Sequence, residues 1–120
     1  MARIMAVDDS AAIRGPLEAM ISLHGHEVFM FEDGRQALEF ARTDTVDLVI
    51  TDLNMPEMNG MSLISSLRRL PFYKNTPILI LTTETADYKK KKAQSVGATG
   101  WITKPFTEER ITAALKKTLG

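Results

Sequence analysis

Residues 47–60 read DLVITDLNMPEMNG. Leu48 to Thr51 is a short run of aliphatic and β-branched residues, the composition of a strand covered on both faces. Met55–Pro56 and Asn59–Gly60 then supply turn chemistry, because proline presets one backbone angle and glycine admits conformations closed to other residues. Between strand and turn stands a carboxylate, Asp52, at the lip of an apolar segment, where an unpaired acid is costly. Alone, Asp52 reads as a turn former. Whatever else the chain places at the same level decides whether it is more.

Working outward, further apolar runs occupy residues 4–7, 27–31, 77–82 and 101–103. Segments of helical period separate them. Ala37, Leu38 and Ala41 align over residues 34–41, and Leu63, Ile64, Leu67 and Leu70 over residues 62–70, before Pro71. Residues 86–96 end at Gly97, a good helix terminator. Ile111, Ala114, Leu115, Thr118 and Leu119 share a face behind Thr107, which reads as an N-cap followed by Glu108 and Glu109. In the first segment Ile13, Leu17, Met20, Ile21 and His24 fit one face, but Gly15 and Pro16 interrupt it. That helix either begins near Pro16 or starts at Ser10 with a kink. Five βα units predict an α/β fold, an open doubly wound parallel sheet forming one domain over residues 1–120. A closed eight-unit barrel needs about twice the length. The runs 27–31 and 101–103 are shorter or more mixed and suit sheet edges.

Composition narrows the function. Apolar residues make up 44% and charged residues 25%, ordinary for a globular chain and not for a disordered one. Lys plus Arg equals Asp plus Glu at 15 each, so charge gives no support to nucleic acid or an anionic membrane as partner. With no cysteine, disulfides, thiolate catalysis and Cys-based zinc sites are excluded. No apolar run approaches the roughly 20 residues of a spanning helix, and the N-terminus reaches acids too early for a signal peptide. A cytoplasmic location is the expectation.

In open parallel sheets ligands bind beyond the carboxyl ends of the strands. There the first run meets Asp8 and Asp9, the third Asp52, the fourth Thr82 and Thr83, and the fifth Lys104 and Pro105. If these strands are neighbours, three carboxylates share one cleft and repel one another unless a cation is present. Hard oxygen donors without a thiolate or a nearby histidine pair favour Mg2+. Lys104 adds a mobile positive charge and Thr82 a hydroxyl donor, the surroundings a transferring phosphoryl group needs.

AVDDS, DLVITDLNMPEMNG, ILILTTE and GATGWITKPF, in that order, resemble the receiver domain of bacterial two-component response regulators over essentially the whole chain. The resemblance implies a flavodoxin-like (βα)5 fold with strand order 2-1-3-4-5. It implies that Asp52 is the phospho-acceptor, attacking the phosphohistidine of a sensor histidine kinase. Asp9 and Asp52 are then expected to bind Mg2+ through side chains, Asn54 through its backbone carbonyl and Asp8 through water. Lys104 is expected to contact the phosphoryl oxygens, with a cis Lys104–Pro105 bond. Thr82 moves toward the phosphoryl group, and Trp101, where most receivers carry Tyr or Phe, turns inward as the switch. Asn54 and Glu84 hold the positions that tune hydrolysis of the acyl phosphate.

TTE with GATGW and KPF further resembles the stand-alone chemotaxis regulators of the CheY type. That implies a monomeric signalling protein rather than an enzyme, phosphorylated by a CheA-type kinase and binding the flagellar motor switch. The pattern ends with the fifth helix, so output by binding is expected. A phosphorelay intermediate or phosphate sink is the alternative within signalling. A phosphatase with an aspartyl nucleophile and Mg2+ is more distant, since Asn54 stands where its second aspartate belongs. Flavin binding lacks its phosphate loop after the first strand. Lys89 to Lys92 point around most of a helix and read as a solvated surface, and His24 and His26 as surface residues.

Overall fold

The computed structural model describes residues 1–120. Each apolar run is a strand: β1 (Arg3–Val7), β2 (Glu27–Phe31), β3 (Leu48–Thr51), β4 (Ile78–Thr82) and β5 (Gly100–Thr103). Between and after them lie α1 (Ala11–Leu23), α2 (Gly34–Ala41), α3 (Gly60–Arg68), α4 (Asp87–Val96) and α5 (Glu108–Leu119). The strands pair in parallel in the order β2-β1-β3-β4-β5, the flavodoxin-like arrangement, with β2 and β5 at the edges.

The two-residue period of a strand divides the core into two layers. Met5, Val7, Val49, Ile78 and Ile80 pack with residues of α2, α3 and α4 on one face. Ile4, Ala6, Leu48, Ile50, Leu79 and Leu81 pack with Leu17 and Ile21 of α1 and Ile111 and Leu115 of α5 on the other. Every residue of β3 and β4 is buried, so these strands need apolar side chains on both faces. Each large apolar side chain so buried contributes roughly 1.5–3 kcal/mol, against about 1 kcal/mol for a typical cap.

Caps nevertheless fix where the helices start. The side chains of Asp33, Asn59 and Thr107 accept from the amides of Gln36, Ser62 and Arg110. Gly97 closes α4 with φ at 116°, a conformation that disfavours a side chain. Helix α3 starts at Gly60, two residues before the expected start at residue 62, and Leu70 lies beyond its end, leading into a 3-10 turn at Pro71–Tyr73. Helix α1 runs unbroken from Ala11 through Pro16, which decides between the two starts open in the sequence. Gly15 and Pro16 are exposed while Leu17 and Ile21 are buried, so the missing amide and the proline ring face solvent. His24 lies outside the apolar face, exposed, with Nε2 2.8 Å from Thr112 Oγ1.

At the end of the sheet opposite the strands' carboxyl termini, Arg68 ties three segments together. Its guanidinium donates to the carbonyls of Tyr73 (2.6 Å), Thr76 (2.7 Å) and Gly97 (2.7 Å). Partial burial pushes its pKa down, but its donors are met by carbonyls rather than by a carboxylate. Removing the side chain strands these carbonyls. Arg68→Met is therefore expected to cost about 2–3 kcal/mol, read as a lower urea midpoint at unchanged slope.

Candidate functional site

Strand register brings the polar residues together. Val7 pairs with Thr51, so the next residues, Asp8 and Asp52, emerge side by side, and the Asp52 amide donates to the Val7 carbonyl at 3.0 Å. Thr82 pairs with Thr103, and the Lys104 amide donates to the Thr82 carbonyl at 2.8 Å. Lys104 reaches across from the sheet edge, placing Nζ 2.7 Å from Asp8 Oδ2 and 3.0 Å from Asp52 Oδ2. The Lys104–Pro105 peptide bond is cis.

The second oxygens of these acids are held by backbone. Asp8 Oδ1 accepts from the Ser10 amide at 2.9 Å, and Asp52 Oδ1 from the Leu53 amide at 2.7 Å. Asp8 is 2% and Asp52 7% exposed, which excludes a plain solvated turn for either. Asp9 is exposed, and one oxygen from each of Asp8, Asp9 and Asp52 lies within 4.8 Å of the others. Burial by itself lowers the Lys104 pKa, but hydrogen bonds to Asp8 and Asp52 and their charges outweigh it and raise it above the ordinary lysine value.

Three carboxylates and one ammonium leave two formal negative charges on the cluster. All the free donors are hard oxygens, a set that fits a small divalent cation such as Mg2+ and not a thiophilic metal. Asn54 is exposed two residues past Asp52, and its carbonyl accepts no hydrogen bond within the protein. Gly60 keeps the following loop tight: a Cβ there would overlap the Asp52 carbonyl oxygen. Within that loop Glu57 takes φ of 67°, strained for a residue with a side chain. The Met58 amide donates across it to the Pro56 carbonyl at 2.7 Å, and Arg35 pairs with its carboxylate at 3.2 Å.

Thr82 is fully buried, and its Oγ1 accepts from the Glu84 amide at 3.3 Å. Trp101 is half-buried on β5, packed against the layer shared with α4, with its indole Nε1 buried and unpaired. Lys90 Nζ lies 5.7 Å from the centre of the ring. The lysine run is thus not uniformly solvated: Lys90 covers Trp101 and Lys89 pairs with Glu84, whereas Lys91 and Lys92 are exposed. One contact at the site had no sequence signal. Arg14 on α1 donates to the Asp8 carbonyl at 2.7 Å and steadies the acidic loop from below.

Residues 4–116 match the response regulator receiver domain family, and the chain belongs to that family of two-component phospho-acceptors. Within it the chain is of the CheY type. It is 33% identical over 120 residues to a chemotaxis protein CheY homolog of Campylobacter jejuni, covering 98% of this chain and 92% of that one. It is 34% identical over 119 residues to protein PilH of Pseudomonas aeruginosa, covering 99% and 98%. The chemotaxis response regulator CheY4 of Vibrio cholerae superposes with a TM-score of 0.94 at 43% identity, over 98% of both chains.

The Lys104 bridge sets a pH dependence. Its folded pKa is raised, so the stabilisation is fully present below the ordinary lysine pKa and is lost as pH rises through the folded value. The gap in urea midpoint between the wild type and Lys104→Met is expected to be constant near neutrality and to shrink above about pH 10.4.

Proposed function

We propose that Asp52 accepts a phosphoryl group from the phosphohistidine of a CheA-type sensor histidine kinase. The aspartyl phosphate then alters the surface of α4, β5 and α5 so that it binds an output partner. The observation that carries this reading is the Lys104 ammonium held between Asp8 and Asp52, residues far apart in sequence, beside a third carboxylate. One Asp52 oxygen attacks phosphorus, the P–N bond to the histidine breaks, and that nitrogen keeps the electron pair. The Leu53 amide and Lys104 hold the acceptor carboxylate in place from two sides. Lys104 then stays within reach of the phosphoryl oxygens. Asp9, Asp52, the Asn54 carbonyl and, through water, Asp8 would hold Mg2+, which would neutralise the crowded negative charge.

Thr82 leaves the Glu84 amide and donates its hydroxyl hydrogen to the phosphoryl group. Trp101, whose Nε1 has no partner at rest, turns inward and carries the change to the output face. Asn54 and Glu84 flank the cleft and set how readily water reaches the acyl phosphate. Residues 1–120 act as a single receiver domain, a monomeric cytoplasmic signalling protein rather than an enzyme, without nucleic-acid or membrane partners. The likeness to CheY homologues supports a flagellar motor switch as the output partner. A comparable likeness to PilH keeps a phosphorelay or phosphate-sink role as the second reading.

With Mg2+ and a small phosphodonor the protein is expected to gain one base-labile phosphate, and Asp52→Asn to lose it. Labelling that survives this change contradicts the assignment. Phosphorylation is further expected to raise affinity for a motor-switch peptide; unchanged affinity selects the relay or sink.

A further inference from the structure

The connection between β4 and α4 is tied at Glu84 by more contacts than a surface loop needs. Lys89, in the first turn of α4, places Nζ 2.7 Å from Glu84 Oε1. The other carboxylate oxygen, Oε2, accepts from the amides of Thr85 and Ala86, each at 3.2 Å. The Glu84 amide in turn donates to Thr82 Oγ1 at 3.3 Å. A chain of hydrogen bonds and one ion pair therefore runs from Lys89 through Glu84 to the buried hydroxyl at the cleft.

This chain constrains the hydroxyl. Accepting from the Glu84 amide commits one lone pair of Thr82 Oγ1 and biases its rotamer. That bond leaves the hydroxyl hydrogen free to donate, but any movement of Oγ1 toward a phosphoryl group on Asp52 breaks the 3.3 Å bond or draws the amide along. The amide belongs to the residue whose carboxylate is pinned by Lys89 and by two backbone donors. Displacing it disturbs the 2.7 Å pair.

We propose that Lys89 is a positioning residue: its ion pair with Glu84 latches Thr82 in the resting arrangement and so sets how readily the acceptor site adopts its phosphorylated form. The proposal rests on Asp52 as acceptor and goes beyond it by naming what restrains the switch. A purely structural role has a different signature. Glu84 also satisfies amides at the start of α4, where the N-cap Ala86 offers no side-chain acceptor. If capping were all that it did, losing Lys89 would lower stability alone. Lys91 is the matched control, since it carries the same charge on the same helix, is exposed and has no partner.

The test is the affinity for beryllofluoride, a phosphoryl mimic, in the presence of Mg2+, measured by calorimetry on the full chain alongside its urea midpoint. Lys89→Gln is expected to tighten binding about two- to fivefold, the scale of a partly exposed ion pair. Lys91→Gln is expected to leave it unchanged, and Lys89→Gln added to Glu84→Gln to have no further effect. Lys89→Arg is expected to keep wild-type affinity. Raising salt should tighten wild-type binding more than binding by Lys89→Gln, because the latch is screened. Equal shifts for the Lys89 and Lys91 variants overturn the latch, as does a shift that persists without Glu84 or a lower midpoint at unchanged affinity. Wild-type protein that binds no beryllofluoride and takes up no phosphate overturns the acceptor reading itself, and the latch with it.

Discussion

Everything at the working end of this molecule depends on one ammonium shared by two buried carboxylates. Asp8 and Asp52 stand at the ends of adjacent strands, almost shut off from water, where an uncompensated charge costs several kcal/mol. Lys104 supplies the compensation from the edge of the sheet, and only the parallel order β2-β1-β3-β4-β5 brings it there. Fold and site are therefore one arrangement. The strand register that builds the core also decides which acids meet, and the lysine makes the meeting tolerable.

Around that pair the contacts divide into a closely held base and a more loosely held rim. The base is mostly backbone: the Leu53 and Ser10 amides on the carboxylates and Gly60 against the Asp52 carbonyl, with the Arg14 guanidinium on the Asp8 carbonyl. Only Arg14 contributes a long side chain, and it is half-buried and held at 2.7 Å. The rim is Thr82, Glu84 and Lys89, joined by a 3.3 Å hydrogen bond and a partly exposed ion pair, together with Trp101, whose indole nitrogen has no partner. The proposed role, in which Asp52 is held still as nucleophile while the surface around it changes, calls for this division. Contacts of the rim are individually weak, so a charged group added at Asp52 can outweigh them.

Much of this was legible in the sequence because it depends on period and punctuation. Two-sided apolar runs gave β1, β3 and β4, the helical faces gave the layers, and a polar residue after each run marked the cleft. Thr107 and Gly97 marked helix ends by their own chemistry. The start of α1 was not legible, since proline suits either a first turn or a solvent-facing interior, and only the exposure of Pro16 separates them. Arg14, Arg68 and Lys89 were invisible for a common reason: each acts through its partners' backbone or through a spacing outside helical rules. Glu84 precedes α4, so its pairing with Lys89 five residues on follows no i,i+4 pattern. Lysines that look alike in a run separate only when the fold shows which of them meet something.

We propose that the phosphoryl group lands on Asp52, set against Lys104. The direct measurement is to phosphorylate the wild-type protein with Mg2+ and a small phosphodonor, reduce the acyl phosphate with borohydride and locate the reduced residue by peptide mass. Reduction at Asp52 alone, diminished at equal times when Lys104→Met slows the transfer, is the predicted result. Reduction at Asp8, Asp9 or any other carboxylate while Asp52 remains intact would contradict the account.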